Sequence, residues 1–61
     1  MIRVKDILPY INDLIDIYIN GELKLCTWCE NGKCRDDVSY YLDCKLIEIR
    51  NRNGYLLLEV E

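Results

Sequence analysis

The fold is decided by residues 46–60, LIEIRNRNGYLLLEV, in which the pair Asn53-Gly54 separates two apolar runs. Asn-Gly between apolar runs is a strong hairpin signal, because both residues tolerate the positive φ that a tight turn needs. With these two as the loop residues, one face of the hairpin is wholly apolar, as a half-buried hairpin requires. Strands are therefore predicted near 45–51 and 55–60. The predicted cross-strand pairs are Ile49 with Leu58, Ile47 with Val60, Arg50 with Leu57 and Glu48 with Glu59.

Two further pairs, Asn20-Gly21 and Asn31-Gly32, predict turns earlier in the chain. At the first of them, a three-residue loop that includes Glu22 keeps apolar side chains on one face, which a two-residue loop does not. This register predicts a bulged turn after a strand near 14–19. Its predicted pairs are Ile19 with Leu23, Ile17 with Leu25 and Ile15 with Thr27.

The residues before Gly21 fit two descriptions. Their apolar positions also recur with a 3.6-residue period, so one long helix ending at Gly21 is the rival of the strand. A short helix near 4–11 followed by the strand near 14–19 is preferred. Ile17 would lie on the polar face of the long helix, and a run rich in isoleucine favours β structure.

Acidic residues mark a second helix between the hairpins. Asp36 or Asp37 can cap a helix near 36–43 that carries apolar side chains on one side. The order of elements is then helix, two strands, helix, two strands. This order predicts a single small domain over 1–61 with an α+β fold, in which a small, mainly antiparallel sheet of two hairpins carries two short helices on one face.

Composition limits the classes of function. The chain carries 8 Lys plus Arg against 11 Asp plus Glu, a net charge of −3, which disfavours binding of nucleic acid. It has no histidine, the usual general base, so an enzyme is not expected. No stretch approaches the roughly 18 apolar residues of a membrane span, and charged residues interrupt the N-terminus where a signal peptide would need an apolar region. A cytoplasmic location is therefore expected, where thiols stay reduced.

Four cysteines, with the spacing C-x2-C-x4-C-x9-C, could carry special chemistry. Four thiolates make a tetrahedral zinc site, and the first two gaps are similar to those of a zinc knuckle. A cysteine replaces the histidine of the knuckle and the last gap is longer, so plain thiols are preferred over structural zinc, and zinc over disulfide or redox roles. If Asn31-Gly32 is a two-residue turn, the second and third cysteines form a cross-strand pair within reach of a disulfide or of one metal ion. The four residues are Cys26, Cys29, Cys34 and Cys44.

Aromatic and apolar side chains also fall on the sheet face opposite the predicted core. Tryptophan and tyrosine are enriched in interface hot spots, and contiguous apolar surface on a small protein usually marks a contact site. The alternative is that a second layer, such as the rival long helix or a second copy of the chain, covers this face. Cys26 is also predicted on this face. The predicted partner-binding residues are Tyr18, Trp28, Leu46, Tyr55 and Leu57.

Four short segments carry a resemblance. They are VKDILPYI at 4–11, NGEL at 20–23, YLD at 41–43 and LIEI at 46–49. Together they resemble small uncharacterised proteins of phages and mobile elements of Gram-positive bacteria, in which a short helix, a hairpin, a second short helix and a closing hairpin follow in turn. The resemblance implies an accessory protein that acts by binding; it implies no activity and supplies no site residues.

These observations predict a non-catalytic binding protein without a cofactor. It would be an inhibitor or adaptor, with an anti-defence role compatible with its size, that contacts a protein partner or a second copy of itself. The alternative is a zinc-stabilised module in which the four cysteines hold the metal and Lys33 and Arg35 contact nucleic acid.

Overall fold

The N-terminal segment forms a short helix and then a strand. In the computed structural model, which describes residues 1–61, helix α1 spans Val4–Ile7 and continues into a 3-10 turn at Leu8–Tyr10. Pro9 lies at the start of the 3-10 turn, where a backbone N–H has no partner within the helix, so the absence of an N–H in proline costs no hydrogen bond. Strand β1, Asn12–Ile19, follows. The predicted order of helix and strand is confirmed, and the rival long helix does not form.

Five strands make one mixed sheet. They lie in the order β3-β2-β1-β5-β4, and every neighbouring pair is antiparallel except β1 with β5, which is parallel. The fold is α+β as predicted, but the sheet is more than two hairpins. A third, short hairpin of β2 and β3 extends it, and the parallel pair of β1 and β5 joins the two predicted hairpins. The remaining strands are β2, Glu22–Glu30; β3, Lys33–Cys34; β4, Leu46–Arg52; and β5, Tyr55–Val60.

The predicted helix over 36–43 is wrong. A single 3-10 turn at Ser39–Tyr41 stands in its place, where the backbone N–H of Ser39 donates to Asp37 Oδ1 at 2.9 Å. The chain here crosses the inner side of the sheet from one edge strand to the other, and its backbone bonds to a neighbouring element instead of along a helix. The Lys5 N–H donates to the carbonyl of Leu42 at 3.0 Å, and the Val4 N–H donates to the carbonyl of Cys44 at 3.1 Å. The two predicted helices thus reduce to α1 and two 3-10 turns.

The first turn differs from the prediction by one residue. Asn20 and Gly21 both adopt positive φ, 53° and 76°, as a two-residue type I′ turn requires. The twist of a type I′ turn matches the twist of the flanking strands, so the turn itself is regular. The extra residue is Lys24 of β2, which has no partner in β1. The predicted pair of Ile19 with Leu23 is wrong, since Ile19 faces Glu22. The pairs of Ile17 with Leu25 and Ile15 with Thr27 are confirmed.

The last hairpin closes at Asn53-Gly54 as predicted. Three of its four predicted pairs are confirmed: Ile49 with Leu58, Arg50 with Leu57 and Glu48 with Glu59. The fourth is wrong, because an irregularity between Leu46 and Glu48 places Leu46, not Ile47, opposite Val60.

The core lies on one face of the sheet, here called the inner face. The helical segments and the chain between β3 and β4 pack against this face, where Val38, Tyr41, Leu42 and Cys44 border the core. The backbone N–H of Asp36 donates to Oγ1 of the buried Thr27 at 3.0 Å and so ties this crossing chain to the sheet. The fully packed apolar residues are Val4, Leu8, Ile11, Ile15, Ile17, Cys29, Leu58 and Val60.

Substitution of Ile17 measures how far this inner face supports the fold. Ile17 lies on the central strand with no exposed surface, so Ile17→Ala is expected to lower the free energy of unfolding by about 2–5 kcal/mol. Tyr10→Ala is the matched control, since Tyr10 is 84% exposed and its loss should cost less than about 0.5 kcal/mol. Urea unfolding followed by circular dichroism measures both. A loss below about 1 kcal/mol at Ile17 would contradict this core.

Candidate functional site

The face of the sheet opposite the core, here called the outer face, carries the candidate site. Strand registers align its side chains in three rows that run from β2 across β1 and β5 to β4. Helical segments pack on the inner face only. The rows are Trp28, Leu14, Tyr55 and Arg52; Cys26, Asp16, Leu57 and Arg50; and Leu23, Tyr18, Glu59 and Glu48.

Aromatic side chains are accessible on this face. Trp28 is 44% exposed, and Tyr18 and Tyr55 are half-buried by their neighbours in the sheet. No hydrogen bond within the chain uses the indole N–H or either phenolic hydroxyl. Each ring therefore offers an apolar body together with a free polar group, the combination that favours aromatic residues at protein interfaces.

Four of the five predicted partner-binding residues share this face: Tyr18, Trp28, Tyr55 and Leu57. Leu46 does not. It stands opposite the fully buried Val60 and packs against the core, because the irregularity in β4 reverses the alternation of side chains there. The placement of Leu46 on the outer face is therefore wrong.

Three further residues belong to the site and were not predicted. Leu14 and Asp16 follow from the alternation of β1, which the sequence could have shown by counting every second residue back from Tyr18. Leu23, 49% exposed, was assigned to the core, and the irregularity at Lys24 moves it to the outer face. The apolar pattern indicated one extra residue in this hairpin, but it could not distinguish a position in the turn from a position in β2.

Charge is unevenly distributed over the outer face. Asp16 lies in the middle row, half-buried, and takes part in no ion pair. On β4 one pair of charges is matched, because the Arg50 guanidinium donates to both carboxylate oxygens of Glu48, at 2.8 and 3.2 Å. This bidentate contact lowers the pKa of Glu48 and raises the pKa of Arg50. Glu59 and Arg52 are also without an ion pair, but Asp16 differs from them because its neighbours along β1 and across the sheet are Leu14, Tyr18, Cys26 and Leu57.

The thiol of Cys26 interacts with this same carboxylate. The side chain of Asp16 raises the pKa of Cys26, and desolvation and the negative charges of Asp16 and Asp36 raise it further. The thiolate is the nucleophilic form, so these effects keep Cys26 in its unreactive state near neutral pH.

The cysteines do not gather at one place. Cys29 and Cys34 face each other across the turn at Asn31-Gly32, with a Cα–Cα distance of 4.1 Å, and form a disulfide. The conditional prediction of this cross-strand pair is confirmed, whereas the preference for plain thiols is wrong for these two residues. Cys26 is exposed on the outer face and Cys44 is half-buried beside the core. No group of three or more His, Cys, Asp or Glu residues is assembled as metal ligands, so the four cysteines do not form one zinc site in this structure.

Comparison of the chain with protein-family models, with curated proteins and with solved structures finds no match. None of the helical segments is long and apolar enough to cross a bilayer. The structure itself defines the class: a small α+β protein with a one-sided core and an uncovered, partly aromatic sheet face.

Thiol counting tests the arrangement of the cysteines. Protein purified without reductant and then denatured should expose two reactive thiols per chain, and four after reduction, because Cys29 and Cys34 are joined. Reduction of the bond in the wild type should lower the free energy of unfolding by about 2 kcal/mol, given the short loop that it closes. Four thiols before reduction would contradict the disulfide, and four thiols together with one equivalent of zinc would favour the metal-bound module.

Alkylation of Cys26 tests its contact with Asp16. In a Cys44→Ser background, Asp16→Asn removes the negative charge and supplies an amide N–H that can donate to a thiolate, so the pKa of Cys26 should fall and more thiolate should be present at a given pH. The rate of reaction with iodoacetamide near pH 8 should therefore rise, and the midpoint of its pH profile should move to lower pH. An unchanged midpoint would show that the two side chains do not interact.

Proposed function

We propose that this chain is a non-catalytic binding protein, an inhibitor or adaptor, which holds a protein partner on the outer face of its sheet. The observation that carries the proposal is the uncovered row of Trp28, Leu14 and Tyr55. A sheet face that carries a large aromatic side chain in the open, with no layer of its own chain above it, is typical of a contact surface.

The composition of the face favours a partner of particular chemistry. The side chains around Asp16 are apolar or aromatic, and the carboxylate has no cation of its own. Burial of this unpaired carboxylate against a wholly apolar surface would be costly. The partner that fits is a protein whose contacting surface is flat and apolar and presents one arginine or lysine opposite Asp16. Such a cation would make a charge-assisted hydrogen bond within a water-excluding rim.

Other functions have less support. Aromatic rings on an open sheet can stack on nucleic-acid bases, but Asp16 and Glu59 lie among them and the chain carries a net charge of −3, which repels phosphate. The zinc module lacks an assembled ligand set. For an enzyme, the exposed Cys26 thiol has a raised pKa and no histidine to activate it. An accessory role of phage type and a cytoplasmic location belong to this proposal on the strength of the sequence. In that compartment Cys29 and Cys34 would be kept as thiols, and their disulfide would form on oxidation.

The test compares three forms of the protein as bait. Wild type, Trp28→Ala and Tyr10→Ala are immobilised and exposed to extract of the organism that encodes the chain, and retained proteins are identified by mass spectrometry. We expect a protein that is retained by wild type and by Tyr10→Ala but lost from Trp28→Ala. Tyr10 is the matched control, since it is an exposed aromatic residue of a helical segment rather than of the sheet.

Calorimetry with the purified candidate then measures the contact directly. Trp28→Ala should weaken binding at least about tenfold, the scale of an aromatic hot spot. Asp16→Lys should weaken it as well, because it opposes the partner's cation with a like charge. Equal affinity of wild type and Trp28→Ala would overturn the proposal, and so would preferential binding of single-stranded oligonucleotides.

A further inference from the structure

Strand β4 leaves one edge of the sheet open. It is the last strand in the order, and all of its residues after Leu46 are exposed, including Ile47 at 50% and Ile49 at 48%. The beginning of the edge is covered, since the backbone N–H of Leu46 donates to the carbonyl of Ile2 at 2.9 Å. The free part of the edge is therefore residues 47–52.

The hairpin geometry determines which backbone groups face outward. Arg52 and Tyr55 flank a two-residue turn and form its closing pair, and hydrogen-bonded and non-hydrogen-bonded pairs alternate from there. Glu48, Arg50 and Arg52 thus direct their N–H and C=O groups to β5. Ile49 and Asn51 direct theirs away from the sheet, where a further strand could receive them.

We propose that β4 pairs in antiparallel orientation with β4 of a second copy of this chain, centred on Ile49. In this register Ile49 faces its own counterpart, and the outward N–H and C=O groups of the two isoleucines bond reciprocally. Glu48 of each copy then lies directly opposite Arg50 of the other. These are non-hydrogen-bonded positions, where opposing side chains approach most closely. The ion pair already present within each chain is completed as a ring of four alternating charges.

Neighbouring registers lack this complementarity. Centring on Asn51 would place Arg50 opposite Arg52, a repulsive pair on both sides of the axis. Centring on Ile47 would place the apolar Leu46, already bonded to Ile2, opposite Glu48. Centring on Glu48 or on Arg50 would place that residue opposite its own counterpart, again a pair of like charges. Only the register centred on Ile49 buries an exposed isoleucine and pairs opposite charges without placing like charges opposite each other.

The proposed dimer has a defined shape. Opposed residues of an antiparallel pair project to the same side of a sheet, so the two outer faces would lie side by side on one ten-stranded sheet. The paired segment covers only residues 47–51, because the N-terminal segment occupies the edge beyond it. An interface of this size is small, so association depends on concentration and weakens with salt.

The test uses charge reversal at the two facing positions. Sedimentation equilibrium at low ionic strength, from about 10 micromolar to about 1 millimolar protein, measures self-association in the range expected of so small an interface. Glu48→Arg alone and Arg50→Glu alone should each weaken it at least about tenfold, since each variant places like charges opposite one another. An equimolar mixture of the two variants should associate as strongly as wild type, because each then supplies the charge that the other lacks. The Glu48→Arg, Arg50→Glu double variant should also recover.

Recovery in the mixture separates this pairing from damage to the fold, because both variants have lost the same ion pair within the chain. Circular dichroism of each variant checks that the sheet is retained, and Trp28→Ala should self-associate like wild type. A wild type that stays monomeric over the whole range would overturn the proposal. So would single variants that associate like wild type, a mixture that fails to associate, or loss of association in Trp28→Ala, which would place the contact on the outer face.

Discussion

The parallel contact between β1 and β5 is the interaction on which the rest of this structure depends. Each hairpin alone would be a two-stranded ribbon, which is marginally stable in water. Their side-by-side contact places Ile15 and Ile17 of one next to Leu56 and Leu58 of the other, in the middle of a single sheet. Ile15, Ile17 and Leu58 have no exposed surface as a result.

This contact also determines where the rest of the chain must go. With β1 and β5 in the middle, β3 and β4 become opposite edges, and the chain between them has to cross the full width of the inner face. The crossing segment forms a 3-10 turn in place of a second helix, and together with α1 it covers one face of the sheet. No helical segment or loop of the 61 residues packs on the outer face, so this face is open in the structure. The candidate site is therefore a consequence of the topology.

Three contacts hold the end of the hairpin formed by β2 and β3. Asn31 donates its backbone N–H to Asn12 Oδ1 at 2.9 Å, which ties the turn to the start of β1. Gly32 lies against Pro9, and a Cβ at this glycine would come within 3.5 Å of the proline Cα. The disulfide between Cys29 and Cys34 joins the same two strands. The short edge strand is thereby fastened to the core by bonds that need little apolar area.

The sequence alone determined the local features: the three Asn-Gly turns, the strand after the first helix, and most pairs within each hairpin. Turn chemistry and side-chain alternation act over a few residues, so they can be predicted from the sequence alone. Alternation likewise located Tyr18, Trp28, Tyr55 and Leu57 on one face. Tertiary structure decided the parallel joining of the hairpins, the loss of the second helix and the transfer of Leu46 and Leu23 between faces. These depend on the packing of distant strands and on single-residue irregularities, whose energies are set by neighbours far away in the chain and absent from any local pattern.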